Sequence, residues 1–226
     1  MNRLGLLTAG AVGAGAAFVA GYRPWQQRWG ATDAEVAATL PGDELLHRPE
    51  FHPTRAISIA APPEDVWPWI VQIGYGRAGF YAYDLLDNLG KPSADRVIPE
   101  LQDLKIGDWI PMSPTVNDMT AFRVVALEPV QWMLWSKPDS TWCWRLEATE
   151  DRGTRLVSRI RMKYAWRSPM IPVSLFLMEV GDFFMNRREL QGIKRRAEAV
   201  AADRASAATA QVPGPTADAP AIAAAA

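Results

Sequence analysis

Along residues 154–166 the chain alternates. Leu156, Ser158, Ile160, Met162 and Tyr164 fall on one side of an extended strand, and Arg155, Arg159, Arg161 and Lys163 on the other. Such a strand covers one face and leaves its basic face solvated. Four β-rich stretches precede it, at residues 108–112, 121–127, 130–136 and 141–148, parted by breaks such as Pro138-Asp139 and Asp151-Arg152-Gly153. Spacing this tight predicts an antiparallel meander. Trp142, Trp144 and Leu146 share one face of their strand, whereas Trp132 and Trp135 point to opposite faces.

An earlier strand is predicted at residues 55–60. It leads into a helix that Pro62-Pro63-Glu64-Asp65 opens, with proline and acids in the first turn. Pro68 must kink that helix or lie near its start. A second short helix is predicted at about residues 83–89. After Pro169 and Pro172 a long helix is expected from about residue 173 to residue 202, apolar nearly all round in its first half. The covered sheet face is its natural partner, which makes the fold class α+β. Residues 23–53 read as a linker with one short helix, N-capped by Thr32. Residues 204–226, rich in alanine and proline, are expected to be a disordered tail.

Residues 4–22 carry no charge and are bracketed by Arg3 and Arg23. Nineteen residues at the helical rise reach roughly 30 Å, the thickness of a hydrocarbon core. A cleaved signal peptide, with Gly15-Ala16-Ala17 as its small-residue site, competes with a membrane anchor, as does a buried core helix. The anchor is the expectation, because the apolar run fills the span and ends on Tyr22-Arg23-Pro24-Trp25. It makes the chain a single-pass membrane protein with residues 1–27 as anchor and flank. Arg23 and Arg28 lean the domain towards the cytoplasmic side.

Net charge is −1, so no electrostatic footprint for nucleic acid is present. Ten tryptophans stand in 226 residues, eight of them from Trp67 to Trp166, enough for a large aromatic core or an aromatic-lined cavity. Cys143 is the single cysteine and has no intrachain disulfide partner; alternation turns it away from Trp142 and Trp144. His47 and His52 are too few for a metal centre, and no metal or cofactor is expected. Gly74-Tyr-Gly-Arg-Ala-Gly79 matches the dinucleotide-binding spacing but lacks the strand and βαβ context, so it reads as a loop between helices. The acid-rich stretch Asp84, Asp87, Asp95, Glu100, Asp103 suits capping and solvation, or a carboxylate at a cavity mouth.

Strand, two short helices, meander and long C-terminal helix is the order of the helix-grip fold. Ala61-Pro-Pro-Glu-Asp-Val-Trp-Pro-Trp-Ile and Gly79-Phe-Tyr-Ala-Tyr-Asp-Leu-Leu-Asp-Asn carry a resemblance to the SRPBCC superfamily, START-like and polyketide cyclase/dehydrase-like proteins. Ser93-Ala-Asp-Arg-Val-Ile-Pro-Glu, Lys105-Ile-Gly-Asp and Arg28-Trp-Gly-Ala-Thr-Asp-Ala-Glu-Val extend it, so that it resembles an uncharacterised bacterial subgroup over residues 28–203. The resemblance implies a curved antiparallel sheet wrapped around the C-terminal helix, with an apolar ligand held between them.

On that basis the expected ligand-binding residues are Trp69, Tyr81, Tyr83, Trp142, Trp144, Ile160, Met162, Phe176, Val180, Phe183 and Phe184, with Arg77, Asp84 and Arg96 at a polar rim. The leading expectation is a membrane-tethered domain that binds a hydrophobic small molecule or lipid. A cyclase- or dehydratase-like enzyme using the same cavity requires a carboxylate or a Tyr/Arg pair pointing inward. A cavity-less interaction module requires the tryptophans packed solid.

Overall fold

The computed structural model describes residues 13, 15, 17–164, 166, 171, 175 and 177–210. Six strands form one antiparallel, curved sheet: β1 (Thr54–Ile59), β2 (Trp109–Pro111), β3 (Ala121–Glu128), β4 (Trp132–Lys137), β5 (Ser140–Ala148) and β6 (Thr154–Met162). The order across the sheet is β1-β6-β5-β4-β3-β2. Only β1 breaks the sequential meander, pairing with β6 from Thr54↔Arg159 to Ile59↔Thr154. A register shift in β3 between Val124 and Ala126 marks a bulge, a feature that bends a strand.

Among the described residues the α-helices that accompany the sheet are α1 (Arg23–Gln27), α2 (Asp33–Ala37), α3 (Pro63–Val71), α4 (Asp84–Asp87) and α5 (Asp182–Ala210). Pro63 and two acids sit in the first turn of α3, as expected, and Pro68 lies inside it. Between α3 and α4 the glycine-rich segment is a loop closed by a Gly74↔Gly79 bridge, with Gly74, Gly76 and Gly79 all at positive φ. The helix α5 crosses the inner face, where Leu190, Ile193 and Ala197 join Trp69, Ile70, Trp135, Trp144 and Leu156 in the main core.

The outer face departs from expectation. Residues 28–47 are no linker but a strap across the sheet, so the basic face of β6 is covered. Arg155 donates to Glu35 at 2.6 Å and to the Gly30 carbonyl at 2.5 Å. Arg159, only 5% exposed, donates to Thr54 Oγ1, to the carbonyls of Glu35, Val36 and Ala38, and to Asp43. The Arg159 guanidinium takes carbonyls that the short helix α2 leaves unpaired, and Arg155 takes the Glu35 carboxylate, so burial of these charges is compensated. Under the strap Leu40, Ala56, Leu134, Cys143 and Val157 form a second, smaller core, with Trp132 against it. Cys143 and Trp132 thus face away from Trp142, Trp144 and Trp135.

Two terminal expectations also change. Among the described residues no helix is long and apolar enough to cross a membrane, which overturns the single-pass localisation. Residues 4–12, 14 and 16 of the expected span lie outside the described residues. Its C-terminal flank is docked on the domain: the rings of Tyr22 and Trp25 meet Phe183 at 6.2 and 5.1 Å, and Arg23 pairs with Glu179 at 2.9 Å. At the other end α5 runs to Ala210, beyond the expected start of the tail. Arg204 pairs there with the buried Asp65 at 2.6 Å and ties the helix down. Residues 211–226 lie outside the described residues, as do residues 172–174 and 176, where the long helix was expected to begin.

Candidate ligand cavity

A cavity of about 440 Å³ lies between the sheet, α4 and the N-terminal part of α5. Its walls are Phe80, Ala82 and Leu86 around α4, Met112 after β2 and Trp142 on β5. The roof is the π-helical turn Leu177–Gly181 and the first turns of α5, which contribute Leu177, Met178, Asp182, Met185, Asn186 and Glu189. Residues 178, 182, 185, 186 and 189 recur at three- and four-residue steps, so one helical stripe faces the cavity. A smaller groove of about 220 Å³ lies on the outer face between α2 and the sheet, where Glu35 is already engaged by Arg155.

A hydrogen-bonded chain links the sheet to the roof helix α5. Trp142 Nε1 donates to Ser158 Oγ at 2.9 Å, and Asn186 Nδ2 approaches the same oxygen at 3.4 Å and Glu189 Oε2 at 3.2 Å. The Asn186 oxygen accepts from Arg55 Nη1 at 3.2 Å, and the same nitrogen donates to Asp182 at 2.6 Å. Arg55 continues to the side chain and carbonyl of Gln26 at 2.7 and 2.9 Å. Gln26 in turn donates to Glu179, which also takes Arg23 and the Tyr164 hydroxyl. The network therefore joins residues that line the cavity to the α1 segment.

Two carboxyl groups in the cavity are left partly unsatisfied. Glu189 is 3% exposed and Asp87 is 8% exposed. Glu189 Oε1 and Asp87 Oδ1 have no hydrogen-bond partner among the described residues. Burial raises the Glu189 pKa well above the carboxylate range, and the nearby charges of Asp87 and Asp182 push it in the same direction. Burial also raises Asp87, against the lowering effect of the Tyr83 amide that donates to it. The shift favours the neutral Glu189 carboxyl, an O–H donor beside the cavity, which is the form that a general acid needs.

The anticipated site residues separate into groups. Trp142 lines the cavity. Trp69, Tyr81, Trp144 and Ile160 are buried in the packed core beside it. The Tyr81 hydroxyl donates to the Trp69 carbonyl at 3.0 Å and accepts from Gln72. Phe183 is buried on the other flank of α5, with Arg55 over its ring at 5.4 Å. Phe184 is 48% exposed, Tyr83 stands at the surface under Arg188, and Met162 and Val180 are half-buried. Phe176 lies outside the described residues.

At the expected rim, Arg77 donates to the Ile73 and Val71 carbonyls, Asp84 accepts from Ser93 and Asn88, and Arg96 is exposed. Sequence reasoning missed Asp182, Asn186 and Glu189. Their signal was present as polar groups at i, i+4 and i+7 bordering an apolar helical run. Among the described residues no group of three or more His, Cys, Asp or Glu side chains is placed to hold a metal ion.

A wholly antiparallel curved sheet closed by one long C-terminal helix is the helix-grip arrangement. No protein-family profile and no curated protein matches the chain. Solved structures that resemble it include a protein from Mesorhizobium loti, 16% identical over 63% of this chain and 97% of that one, with a TM-score of 0.35. A conserved protein of unknown function from Enterococcus faecalis is 10% identical over 69% and 85% of the two chains, with a TM-score of 0.38. A Polyketide_cyc-like protein from Corynebacterium glutamicum is 17% identical over 72% and 96%, with a TM-score of 0.32. Similarity at this level is loose, and fold does not fix function.

Proposed function

We propose that the chain binds an apolar small molecule, a single lipid chain included, in the cavity under α5. The observation that supports it is a 440 Å³ space with largely apolar walls and a few convergent polar groups, the usual composition of a small-molecule site. Nile red, a neutral apolar dye, serves as probe for the full chain. Its emission is expected to rise and shift to the blue on binding, and Ala82→Trp, which fills the cavity from its edge, is expected to abolish the change. Equal dye binding by Ala82→Trp and wild type places the dye elsewhere and sinks the proposal.

A second reading, acid–base catalysis on a bound ligand, draws support from Glu189. Its carboxyl is buried, shifted towards the neutral form and, among the described residues, unpartnered at one oxygen, which suits proton donation to a carbonyl or leaving hydroxyl. Native mass spectrometry of the ligand-loaded chain over hours tests it. A ligand that changes mass with wild type but not with Glu189→Gln supports catalysis, and one that stays unchanged with both favours binding alone.

A further inference from the structure

The charged inventory of the cavity is one-sided. Asp87, Asp182 and Glu189 line it, and among the described residues no Lys, Arg or His does. Asp182 is balanced from behind by Arg55, whose side chain is fully buried and also held by Gln26. That leaves Asp87 and Glu189, both more than nine-tenths buried, each with one carboxyl oxygen that has no partner among the described residues. Two orphaned acceptors on residues that line an apolar space ask for a group with several donors and no acceptor. A hydroxyl offers one donor and a carbonyl none, whereas an ammonium offers three N–H donors and the compensating charge.

We propose that the cavity selects apolar molecules that carry a protonated amine, received by Glu189 Oε1 and Asp87 Oδ1. This rests on the reading of the cavity as a ligand site and names the ligand class. The apolar part lies against Phe80, Met112 and Trp142, and the amine reaches the carboxyl pair. Binding requires the carboxyls to ionise, so a proton leaves Glu189 as the cation enters. The groups facing it are Asp182 and Asn186 on α5, Asp87 on α4, Ser158 on β6 and Trp142 on β5. The nearby cation, Arg55 on β1, is committed to Asp182.

Titration calorimetry of the full chain with decylamine, 1-decanol and decanoate tests the proposal, because the three share a chain and differ in charge. Decylamine is expected to bind about tenfold or more tighter than decanol at about pH 8, with decanoate weakest. The advantage shrinks as the pH is lowered and the carboxyls take up protons. Repeating the titration in buffers of different ionisation enthalpy is expected to reveal proton release with the amine. The substitution Glu189→Gln, which keeps shape and removes charge, removes most of the amine preference and leaves decanol binding in place. Equal affinities for amine and alcohol, or a preference untouched by Glu189→Gln and Asp87→Asn, overturn the amine assignment while sparing the cavity. Failure of all three probes overturns both.

Discussion

Arg55 Nη1 meets Asp182 Oδ2 at 2.6 Å with the arginine side chain wholly buried, so a strand at the sheet edge grips the first turn of the helix that roofs the cavity. The same guanidinium holds Asn186 and Gln26. Removing one partner of such a pair leaves an uncompensated buried charge. Arg55→Met is therefore expected to cost about 3–5 kcal/mol, read from the shift of a urea or guanidinium midpoint. Adding Asp182→Leu to Arg55→Met is expected to recover a good part of that loss, since a dry pair is cheaper than a stranded carboxylate. A double variant no more stable than the single one contradicts this account of the contact.

Glu189 makes the opposite kind of contribution. Its folded-state pKa is raised above the unfolded value of 4.5, so the folded chain holds a proton that the unfolded chain releases. The associated stability is full below 4.5 and is lost as pH rises towards the folded value. Glu189→Gln cannot ionise and keeps an oxygen for Asn186. It is expected to melt above wild type at neutral pH, each kcal/mol regained reading as about 2–4 °C in a chain of this size. The gap between the two melting curves should close on acidification to pH 4.5. A gap that widens there reverses the sign and refutes a neutral Glu189.

These two residues also show where sequence reading reached its limit. Alternation in β5 and β6 was legible, because period two places Trp142, Trp144, Leu156 and Ser158 on one face whatever the tertiary context. The helix order and the glycine loop were legible for similarly local reasons. Coverage was not local. The arginines of β6 look solvated until residues 28–47 are known to cross them, and no periodicity in that strap announces its partner. The cavity face of α5 was misplaced because apolar side chains surround its first turns. The choice between the Phe183 flank and the Asp182–Asn186–Glu189 flank was made by Arg55, at 127 residues' separation from Asp182.

The strap has its own pH signature. Glu35 closes the capping box of α2 and accepts from Arg155, whose hydrogen bond is the main reason its pKa falls from 4.5 to about 2. A depressed carboxylate contributes stability above 4.5 and loses it as pH falls towards 2, the mirror image of Glu189. Glu35→Gln is expected to cost about 1 kcal/mol at neutral pH, with the cost fading on acidification. Cys143 reports on the same contact from beneath the strap, 3% exposed and with its thiol pushed up to about 12 by burial. A thiol reagent should label it only when the strap opens. Labelling in Glu35→Gln should outpace that in wild type, and equal rates would mean that the strap is held by its apolar contacts alone.

Gly192 offers a test in which helix propensity and packing predict opposite signs. Alanine in a helix interior is ordinarily favoured over glycine by about 1 kcal/mol. At this position an added Cβ would lie 2.3 Å from the Tyr81 carbonyl oxygen, a backbone atom that has no rotamer to escape into. The Tyr81 backbone is fixed in turn, because its amide donates to Ser93 Oγ, its hydroxyl is bonded to the Trp69 carbonyl and to Gln72, and Arg196 lies over its ring at 4.5 Å. Relief must come from α5 moving outward. Overpacking of this kind costs about 1–3 kcal/mol, which exceeds the propensity gain. Gly192→Ala is accordingly expected to lower the melting temperature and, by lifting the roof from the α4 side, to weaken Nile red binding as well. A more stable Gly192→Ala would show that the helix is not seated on the Tyr81 backbone.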